Sequence, residues 1–263
     1  MDYTAYILNE AGHLERVPAQ PPLEAELDLH VNGETLVRLA CTPRDLKPLA
    51  LGFLYTAGLI QSLEDVEEIY LNTTQSCADI WLRHWVPDAP RLRQRPSGCA
   101  GGLGLTAEVA LDHPLPVGDQ VPLERLALMM RALLGGEAHQ GTRALHISGL
   151  FTPQGDLLVA MQDLGRHNTL DKIAGYCLLE GLPLAGQVLL TSGRIASEMV
   201  SKAARLQVPL IGSLKAVTSR AIELAGPWGI TTVGYVGRRD VRVYTHPQRV
   251  FAPELLEQVQ VGT

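Results

Sequence analysis

The spacing of hydrophobic and polar residues changes near the middle of the chain. In the first part, apolar side chains alternate with polar ones along 27–39, a pattern typical of half-buried strands. Asn32-Gly33 interrupts this run and predicts a two-residue hairpin turn, because both central residues of a type I′ turn need a positive φ. Further strands are predicted around 66–71 and 79–83. The first part is therefore predicted to be rich in β-structure.

Two helices are predicted within this part of the chain. Thr42 is a suitable N-cap and Pro43 fits the first helical position, while Gly58 ends the apolar run that follows. A second helix is predicted to begin near Pro122 and to end at Gly135, after which the pattern changes.

From residue 144 onward, short apolar strands alternate with amphipathic helices. This order predicts an α/β domain with a largely parallel sheet covered by helices, and ligands bind such sheets beyond the carboxyl ends of the strands. We expect two domains, a β-rich one over 1–135 and the α/β one over 136–263. The predicted strands are 144–151, 156–161, 187–192, 208–213 and 230–235, and the helices lie near 169–180, 194–206 and 216–225.

Basic residues follow several of these predicted strands. One such position means little, but several together favour a ligand that carries phosphate, because Arg can bind phosphate oxygens through two hydrogen bonds. Ser192-Gly193 adds a predicted helix start, where unpaired amides attract anions. The basic residues are Arg166 and His167 after the second strand, then Arg194, Lys215, Arg238 and Arg239 after the next three.

The run 162–171 also has an interpretation that involves no ligand. Asn168 can cap the helix that follows, with Asp171 three residues later, and Asp163 can form a local ion pair with Arg166. The run alone does not separate the two interpretations.

Charge and composition limit the classes of function. The net charge of −6 argues against nucleic acid as the main partner, because a phosphate backbone requires a basic face. No apolar run approaches the roughly 18 residues of a membrane span. The first residues also lack the basic-then-apolar order of a signal peptide. We therefore expect a cytoplasmic protein that does not enter a membrane.

The four cysteines are Cys41, Cys77, Cys99 and Cys177, and no two lie close together in sequence. This spacing fits reduced thiols and matches no metal site. Cys177 falls on the apolar stripe of a predicted helix and is expected in the core. Cys99 differs, because it lies among four glycines in RPSGCAGGLGL, residues 95–105. This composition predicts an exposed, mobile loop.

Several motifs resemble those of one protein family, the FdhD family of formate dehydrogenase accessory sulfurtransferases. The resemblance extends from about residue 27 to 250. The segments that carry it are QDLGRHNTLDKIAG (162–175), TSGRIASEMVSKAA (191–204) and YVGRRDVRVYTHPQRV (235–250), together with TRALHISGLF (142–151) and PRDLKPLALGFLYTAGLI (43–60).

The resemblance implies a cytoplasmic sulfur carrier. Family members accept persulfide sulfur from a cysteine desulfurase and pass it to the molybdenum bis(molybdopterin guanine dinucleotide) cofactor, before that cofactor enters formate dehydrogenase. The implied fold is a cytidine-deaminase-like three-layer α/β/α domain with a smaller β-rich N-terminal domain, and the implied assembly is a homodimer. Cys99 then becomes the candidate persulfide residue.

The resemblance also implies where the cofactor binds. Its phosphates, or those of a guanine nucleotide such as GDP in the same site, are expected near the predicted strand ends, with Arg166 and His167 beneath them. The family's cofactor-binding run matches Tyr235, Val236, Gly237, Arg238, Arg239 and Asp240. The further contacts are expected from their places after predicted strands and not from the resemblance, and they are Arg166, His167, Ser192, Gly193, Arg194 and Lys215.

The cysteine loop departs from the family form C-G-x-C-G. Gly102 replaces the second cysteine if Cys99 aligns with the first, which the glycine pattern favours, and Pro96 replaces the first in the other alignment. A single cysteine can carry a persulfide but cannot resolve it into an internal disulfide. A non-catalytic chaperone that binds the cofactor or a guanine nucleotide is therefore the alternative function.

The implied fold also suggests a nucleotide deaminase. That chemistry requires an H-x-E and a P-C-x-x-C to hold zinc and move protons. The chain has no C-x-x-C, and its H-x-E lies far from the α/β part, at His13-Leu14-Glu15. The sequence therefore argues against a deaminase.

Overall fold

The computed structural model describes residues 3–10, 12–84, 93–96, 103–106, 111, 113–136, 144–252 and 254–256. These residues form a mixed α/β structure with two hairpins, a four-stranded sheet and a six-stranded sheet. Within these ranges, no helix has the length and apolar character needed to cross a membrane.

The chain begins with a hairpin and continues into the four-stranded sheet. The predicted turn is confirmed, because Asn32 and Gly33 connect two antiparallel strands with φ values of 50° and 84°. The strand predicted over 66–71 is also confirmed, whereas the next begins earlier than predicted, at Cys77. The hairpin consists of β1 (Tyr3–Leu8) and β2 (Leu14–Ala19), and the sheet consists of β3 (Ala25–Val31), β4 (Glu34–Cys41), β5 (Val66–Leu71) and β6 (Cys77–Leu82) in the order β4-β3-β6-β5.

Helix α1 (Leu46–Thr56) shares a hydrophobic core with this sheet. Its predicted start at Thr42 is wrong, because Asp45 is the N-cap, with a φ of 52°. Thr42 instead donates its backbone amide to Asp163 Oδ2 at 3.0 Å, a contact 121 residues away in sequence. The predicted end at Gly58 is confirmed by its left-handed φ of 77°.

A second hairpin pairs β7 (Arg93–Pro96) with β8 (Leu103–Thr106). Pro96 is the register partner of Leu103, so the link between the two strands contains Cys99. β8 also lies next to β4. Cys99 itself lies outside the described residues, and its exposed, mobile loop stays a prediction.

The second half of the chain forms the six-stranded sheet, in the order β10-β9-β11-β12-β13-β14. The prediction of a largely parallel sheet is wrong, because only the pairs β11–β12 and β12–β13 in this sheet are parallel. β9 and β10 are joined by the link 152–156, which is too short for the crossover that parallel strands require. The elements are helix α2 (Leu123–Gly135), then β9 (His146–Phe151), β10 (Leu157–Asp163), β11 (Val188–Thr191), β12 (Leu210–Ser213), β13 (Thr231–Gly234) and β14 (Arg242–Val243).

Helices cover both faces of this sheet. On one face, Leu126 and Met129 of α2 share a core with Ile147 of β9. The other face is covered by α3 (Arg166–Glu180), α4 (Ser197–Arg205) and α5 (Ser219–Ala225). Cys177 is buried in this second core, as predicted.

Helix α3 begins three residues before its predicted start, at Arg166. Asn168 therefore lies inside the helix and does not cap it. Its side-chain amide donates to Asp163 Oδ1 at 2.7 Å and to the carbonyl oxygen of Ala40 at 2.9 Å. Asn168, which was predicted to cap its own helix, thus connects β4 with β10.

Helices α1 and α3 cross with their backbones in contact. A Cβ added at Gly52 of α1 would lie 1.7 Å from the carbonyl oxygen of Asp171. A Cβ added at Gly175 of α3 would lie 1.9 Å from the carbonyl oxygen of Pro48. Any side chain larger than hydrogen would push the helices apart. This crossing joins the β-rich part of the chain to the α/β part.

Two buried ion pairs accompany the crossing. Lys172 Nζ lies 2.7 Å from Asp163 Oδ2, and both side chains are fully buried. Lys202 Nζ lies 2.5 Å from Asp171 Oδ1, which also accepts a hydrogen bond from the Thr56 hydroxyl of α1. Each buried carboxylate therefore has a lysine partner and a contact to the β-rich part.

Replacement of Gly175 by alanine is expected to lower the free energy of unfolding by about 2–3 kcal/mol, because the new methyl overlaps the Pro48 carbonyl oxygen. Urea denaturation measures this change. Gly135→Ala is the matched control, since Gly135 ends a helix with open space around it. The control should stay within about 0.5 kcal/mol of the wild type. Equal stability of Gly175→Ala and the wild type would contradict the backbone contact.

Replacement of Lys172 by methionine is expected to lower the free energy of unfolding by about 3–5 kcal/mol, because it leaves the buried Asp163 carboxylate without its cation. The double variant Lys172→Met/Asp163→Asn should lose less free energy of unfolding than Lys172→Met, since it removes the uncompensated charge as well. The same urea titration compares the two. If the double variant is less stable than Lys172→Met, the uncompensated charge of Asp163 is not the cause of the destabilisation.

Candidate functional site

The residues predicted to bind a ligand gather at one edge of the six-stranded sheet. β10 and β11 run in the same direction, because both are antiparallel to β9 and lie on either side of it. β12 and β13 are parallel to β11. The carboxyl ends of these four strands therefore share an edge with His146, which begins β9 opposite Asp163. We call residues 146, 163–167, 192–195, 213–217 and 235–240 the strand-end face.

Hydrogen bonds between neighbouring loops hold the strand-end face together. The Ser213 hydroxyl donates to the carbonyl oxygen of Gly193 at 2.5 Å. The amide of Tyr235 donates to the carbonyl oxygen of Lys215 at 3.1 Å, and the amide of Val236 donates to that of Ser213 at 2.8 Å. Backbone groups and a small side chain thus fix the loops, and the long side chain of Lys215 is exposed.

The chain between Ser192 and α4 is not helical. Ile195 forms a parallel bridge with the neighbouring loop, so the helix starts only at Ser197. The predicted helix N-terminus at Ser192-Gly193 is therefore wrong. Ser192 instead contacts β9, where its hydroxyl oxygen accepts a hydrogen bond from the amide of Ile147 at 2.9 Å.

Gly193 allows two side chains of the face to approach its loop. A Cβ at this position would lie 2.8 Å from Arg166 Cβ and 3.3 Å from His146 Nδ1. Arg166 is 7% exposed at the first position of α3, whereas Arg194 is exposed. A buried and an exposed arginine therefore adjoin the same glycine.

His146 lies within the electric field of these basic groups. Burial is the main cause that lowers the pKa of His146, and the neighbouring charges of Arg166 and His167 lower it further. Arg194 acts in the same direction, and Asp163 opposes it. We expect a neutral imidazole near pH 7, able to donate one hydrogen bond and accept another.

His167 pairs with Glu198 of α4. His167 Nε2 lies 2.9 Å from Glu198 Oε2, and each side chain is less than one-fifth exposed. The hydrogen bond from His167 is the main cause that lowers the pKa of Glu198, and burial opposes this effect. Sequence reasoning missed Glu198, although its place four residues after Arg194 in one of the family-like motifs was a usable signal.

In the last loop of the strand-end face, two arginines lie over the ring of Tyr235. Tyr235 has a φ of 58°, and the guanidinium carbons of Arg242 and Arg238 lie 5.3 Å and 5.9 Å from its ring centroid. Arg242 was not predicted. Val236 is buried in the core and its amide donates to Ser213, so the structure does not support its prediction as a ligand contact. The exposed residues of this loop are Gly237, Arg238, Arg239 and Asp240.

All of the predicted cofactor-binding residues therefore lie on the strand-end face. Arg194, Lys215, Arg238 and Arg239 are exposed there. The carboxylate of Asp163 is already compensated by Lys172, and that of Glu198 lies against His167. Asp240 is the one other carboxylate on the face and is outnumbered by these four exposed cations, so the face is basic although the chain as a whole is acidic, and it suits an anionic ligand.

The described cysteines are not activated for reaction at sulfur. Burial raises the pKa of Cys41 and of Cys177 to about 12. Burial and the nearby charge of Asp79 raise the pKa of Cys77, which is half-buried. Nucleophilic attack requires the thiolate, which all three environments disfavour. Cys99, the predicted persulfide residue, lies outside the described residues.

The sequence is similar to known proteins over most of its length. A sequence model of the FdhD/NarQ family matches residues 22–251. The sulfur carrier protein FdhD of Shouchella clausii is 34% identical over 258 residues, which cover 92% of this chain and 93% of the relative. The sulfur carrier protein FdhD of Bacillus pumilus is 35% identical, with 86% and 88% covered.

A solved structure has the same fold. This crystal structure is of a protein from Desulfotalea psychrophila described as a formate dehydrogenase accessory protein. It matches with a TM-score of 0.74 at 24% identity, covering 95% of this chain and 99% of the other. The shared fold includes both the β-rich part and the α/β part. The family match and the sequence identities lead to one conclusion: the chain belongs to the FdhD/NarQ family.

Proposed function

We propose that this protein is a sulfur carrier required for formate dehydrogenase activity. Membership of the FdhD/NarQ family carries the proposal, since relatives of similar length are named sulfur carrier protein FdhD. We propose Cys99 as the residue that carries the sulfur, and the strand-end face as the binding site for the sulfur acceptor.

Cys99 is proposed to receive sulfur from a cysteine desulfurase. The Cys99 thiolate attacks the outer sulfur of a persulfide on the donor enzyme, a new S–S bond forms on Cys99, and the donor cysteine leaves as a thiolate. The raised pKa values of Cys41, Cys77 and Cys177 support the choice, because they leave Cys99 as the candidate nucleophile. Its place between β7 and β8, among glycines, suits a residue that must meet two partners.

The proposed acceptor of the sulfur is the molybdenum bis(molybdopterin guanine dinucleotide) cofactor, bound as cargo. A guanine nucleotide such as GDP would occupy part of the same site. The side chains of Arg194, Lys215 and Arg238 can bind the phosphates, and the exposed Gly237 lets a ligand approach the backbone, whereas Gly193 is buried against Arg166 and His146. These residues would hold and orient the cargo while the S–S bond of the Cys99 persulfide breaks and Cys99 leaves as a thiolate; the metal of the cargo would take the outer sulfur as sulfide and supply the two electrons that this reduction requires.

The partners follow from the same proposal. A cysteine desulfurase is the donor and formate dehydrogenase is the client that receives the loaded cofactor. A homodimer and a cytidine-deaminase-like α/β/α domain over 136–263 stay predictions. The helices on both faces of the six-stranded sheet are compatible with that domain.

A cofactor chaperone that moves no sulfur is the second candidate function. It is favoured by Gly102, which replaces the second cysteine of the family loop in the preferred alignment. Both functions use the strand-end face, and they differ in whether Cys99 is needed.

Incubation with a cysteine desulfurase and cysteine is expected to add one sulfur to the wild-type protein, a gain of about 32 Da for a persulfide on a thiol. Cys99→Ala should show no gain, because it lacks the accepting thiol. Intact-mass spectrometry measures both. Cys77→Ser is the matched control and should gain sulfur like the wild type. No gain in the wild type, with GDP still bound, would support the chaperone instead.

Arg194→Ala is expected to weaken GDP binding by at least about tenfold, because it removes a charge-assisted contact to phosphate worth about 1.5–3 kcal/mol. Isothermal titration calorimetry at fixed salt measures the dissociation constant. Arg220→Ala is the matched control, since Arg220 is also exposed but lies on α5, paired with Glu223. Equal weakening by both variants would indicate a general effect of net charge and would contradict a phosphate site at the strand-end face.

A further inference from the structure

Three side chains with metal-binding groups meet on the outer face of the four-stranded sheet. His30 lies on β3, and Cys77 and Asp79 lie on β6, where Asp79 is the register partner of His30. Leu29 and Ala78, the alternate residues of these strands, point into the core. The three side chains therefore project from the opposite face, where each is half-buried. This sheet is separate from the one that carries the strand-end face.

The distances within the cluster match those between ligands of a tetrahedral metal ion. His30 Nδ1 lies 3.0 Å from Asp79 Oδ1, and Cys77 Sγ lies 3.7 Å from each of these two atoms. Zinc bonds of about 2.0–2.3 Å in a tetrahedron place two ligand atoms about 3.3–3.6 Å apart. Each observed separation is within about 0.3 Å of that range. A metal ion therefore fits with little movement of the side chains.

The same geometry does not fit a nucleophilic triad. In a cysteine–histidine–carboxylate triad, the two ring nitrogens of the histidine contact different partners. Here a single nitrogen, Nδ1 of His30, lies close to both Cys77 and Asp79. Three donor atoms that converge on one point are what coordination of a cation requires.

The charges around the cluster also favour a cation. Besides Asp79, the cluster has a second acidic neighbour, because Asp28 of β3 is the register partner of Cys77. Asp28 is itself held by Arg38 through hydrogen bonds of 2.6 Å and 2.9 Å, so it does not serve as a further ligand. The fourth coordination position of a metal ion would be open to water.

We propose that His30, Cys77 and Asp79 bind one zinc ion. An imidazole, a thiolate and a carboxylate suit the borderline-soft zinc ion, whereas magnesium and calcium prefer oxygen ligands alone. Zinc must displace the thiol proton of Cys77, so binding releases a proton. Sequence spacing did not reveal this site, because His30 and Cys77 are 47 residues apart and meet only through strand pairing.

Zinc titration of the metal-free, full-length protein tests the proposal. Isothermal titration calorimetry in two buffers of different ionisation enthalpy should give one ion per chain and the release of a proton. Cobalt in place of zinc should produce a thiolate-to-metal charge-transfer absorption band. Cys77→Ser should remove the band and weaken zinc binding by at least about tenfold. Asp79→Asn should weaken binding similarly and provides a second readout if Cys77→Ser does not fold.

Two controls separate this site from ligands elsewhere in the chain. Cys99→Ala removes the thiol of the glycine-rich segment, and His13→Ala removes an exposed histidine of the first hairpin. Both variants should keep the cobalt band and the affinity of the wild type. The proposal is overturned if the wild type takes up no zinc, if Cys77→Ser or Asp79→Asn binds as tightly as the wild type, or if Cys99→Ala abolishes the band.

Discussion

The backbone contact between α1 and α3 is the constraint on which the rest of the structure depends. Gly52 and Gly175 bring the helices so close that the polar groups beside the crossing are excluded from water. Asp163 and Asp171 are among these groups, and a lone buried carboxylate would destabilise the fold by several kcal/mol. Lys172 and Lys202 compensate them. The close crossing and the two buried ion pairs are therefore parts of a single arrangement.

Sequence patterns predicted the fold well where the physical requirement was local. The Asn32-Gly33 turn needed positive φ at two adjacent residues, and the burial of Cys177 followed from the spacing of one helix. The predictions failed where a distant contact decided the outcome. Thr42 could cap a helix, but its hydroxyl oxygen accepts a hydrogen bond from the amide of Leu164, and Ile195 forms a bridge to another loop instead of starting a helix. Such contacts leave no periodic signal in the chain.

The candidate site could also be predicted only in part, because some of its residues depend on contacts with other loops. Basic residues after strands could be identified along the chain, because parallel strands that end at one edge bring their following residues together. Glu198 and Arg242 were missed, since each acts only through a partner, His167 or Tyr235, supplied by another loop. Gly193 was expected to help bind an anion, and its backbone position also makes room for Arg166.

The helix crossing has a consequence for communication between the two parts of the chain. Helix α3 carries Arg166 at its first position and Gly175 in the crossing, about 14 Å apart along the helix axis. A helix of this length is stiff, and close-packed backbones cannot slide past each other without steric overlap. α1 therefore cannot shift against α3 at the crossing, so the helix that carries Arg166 is held in place relative to the β-rich part of the chain. The two glycines thus fix the position of the sheet that pairs β3 with β6 relative to the edge where Arg166 meets Gly193.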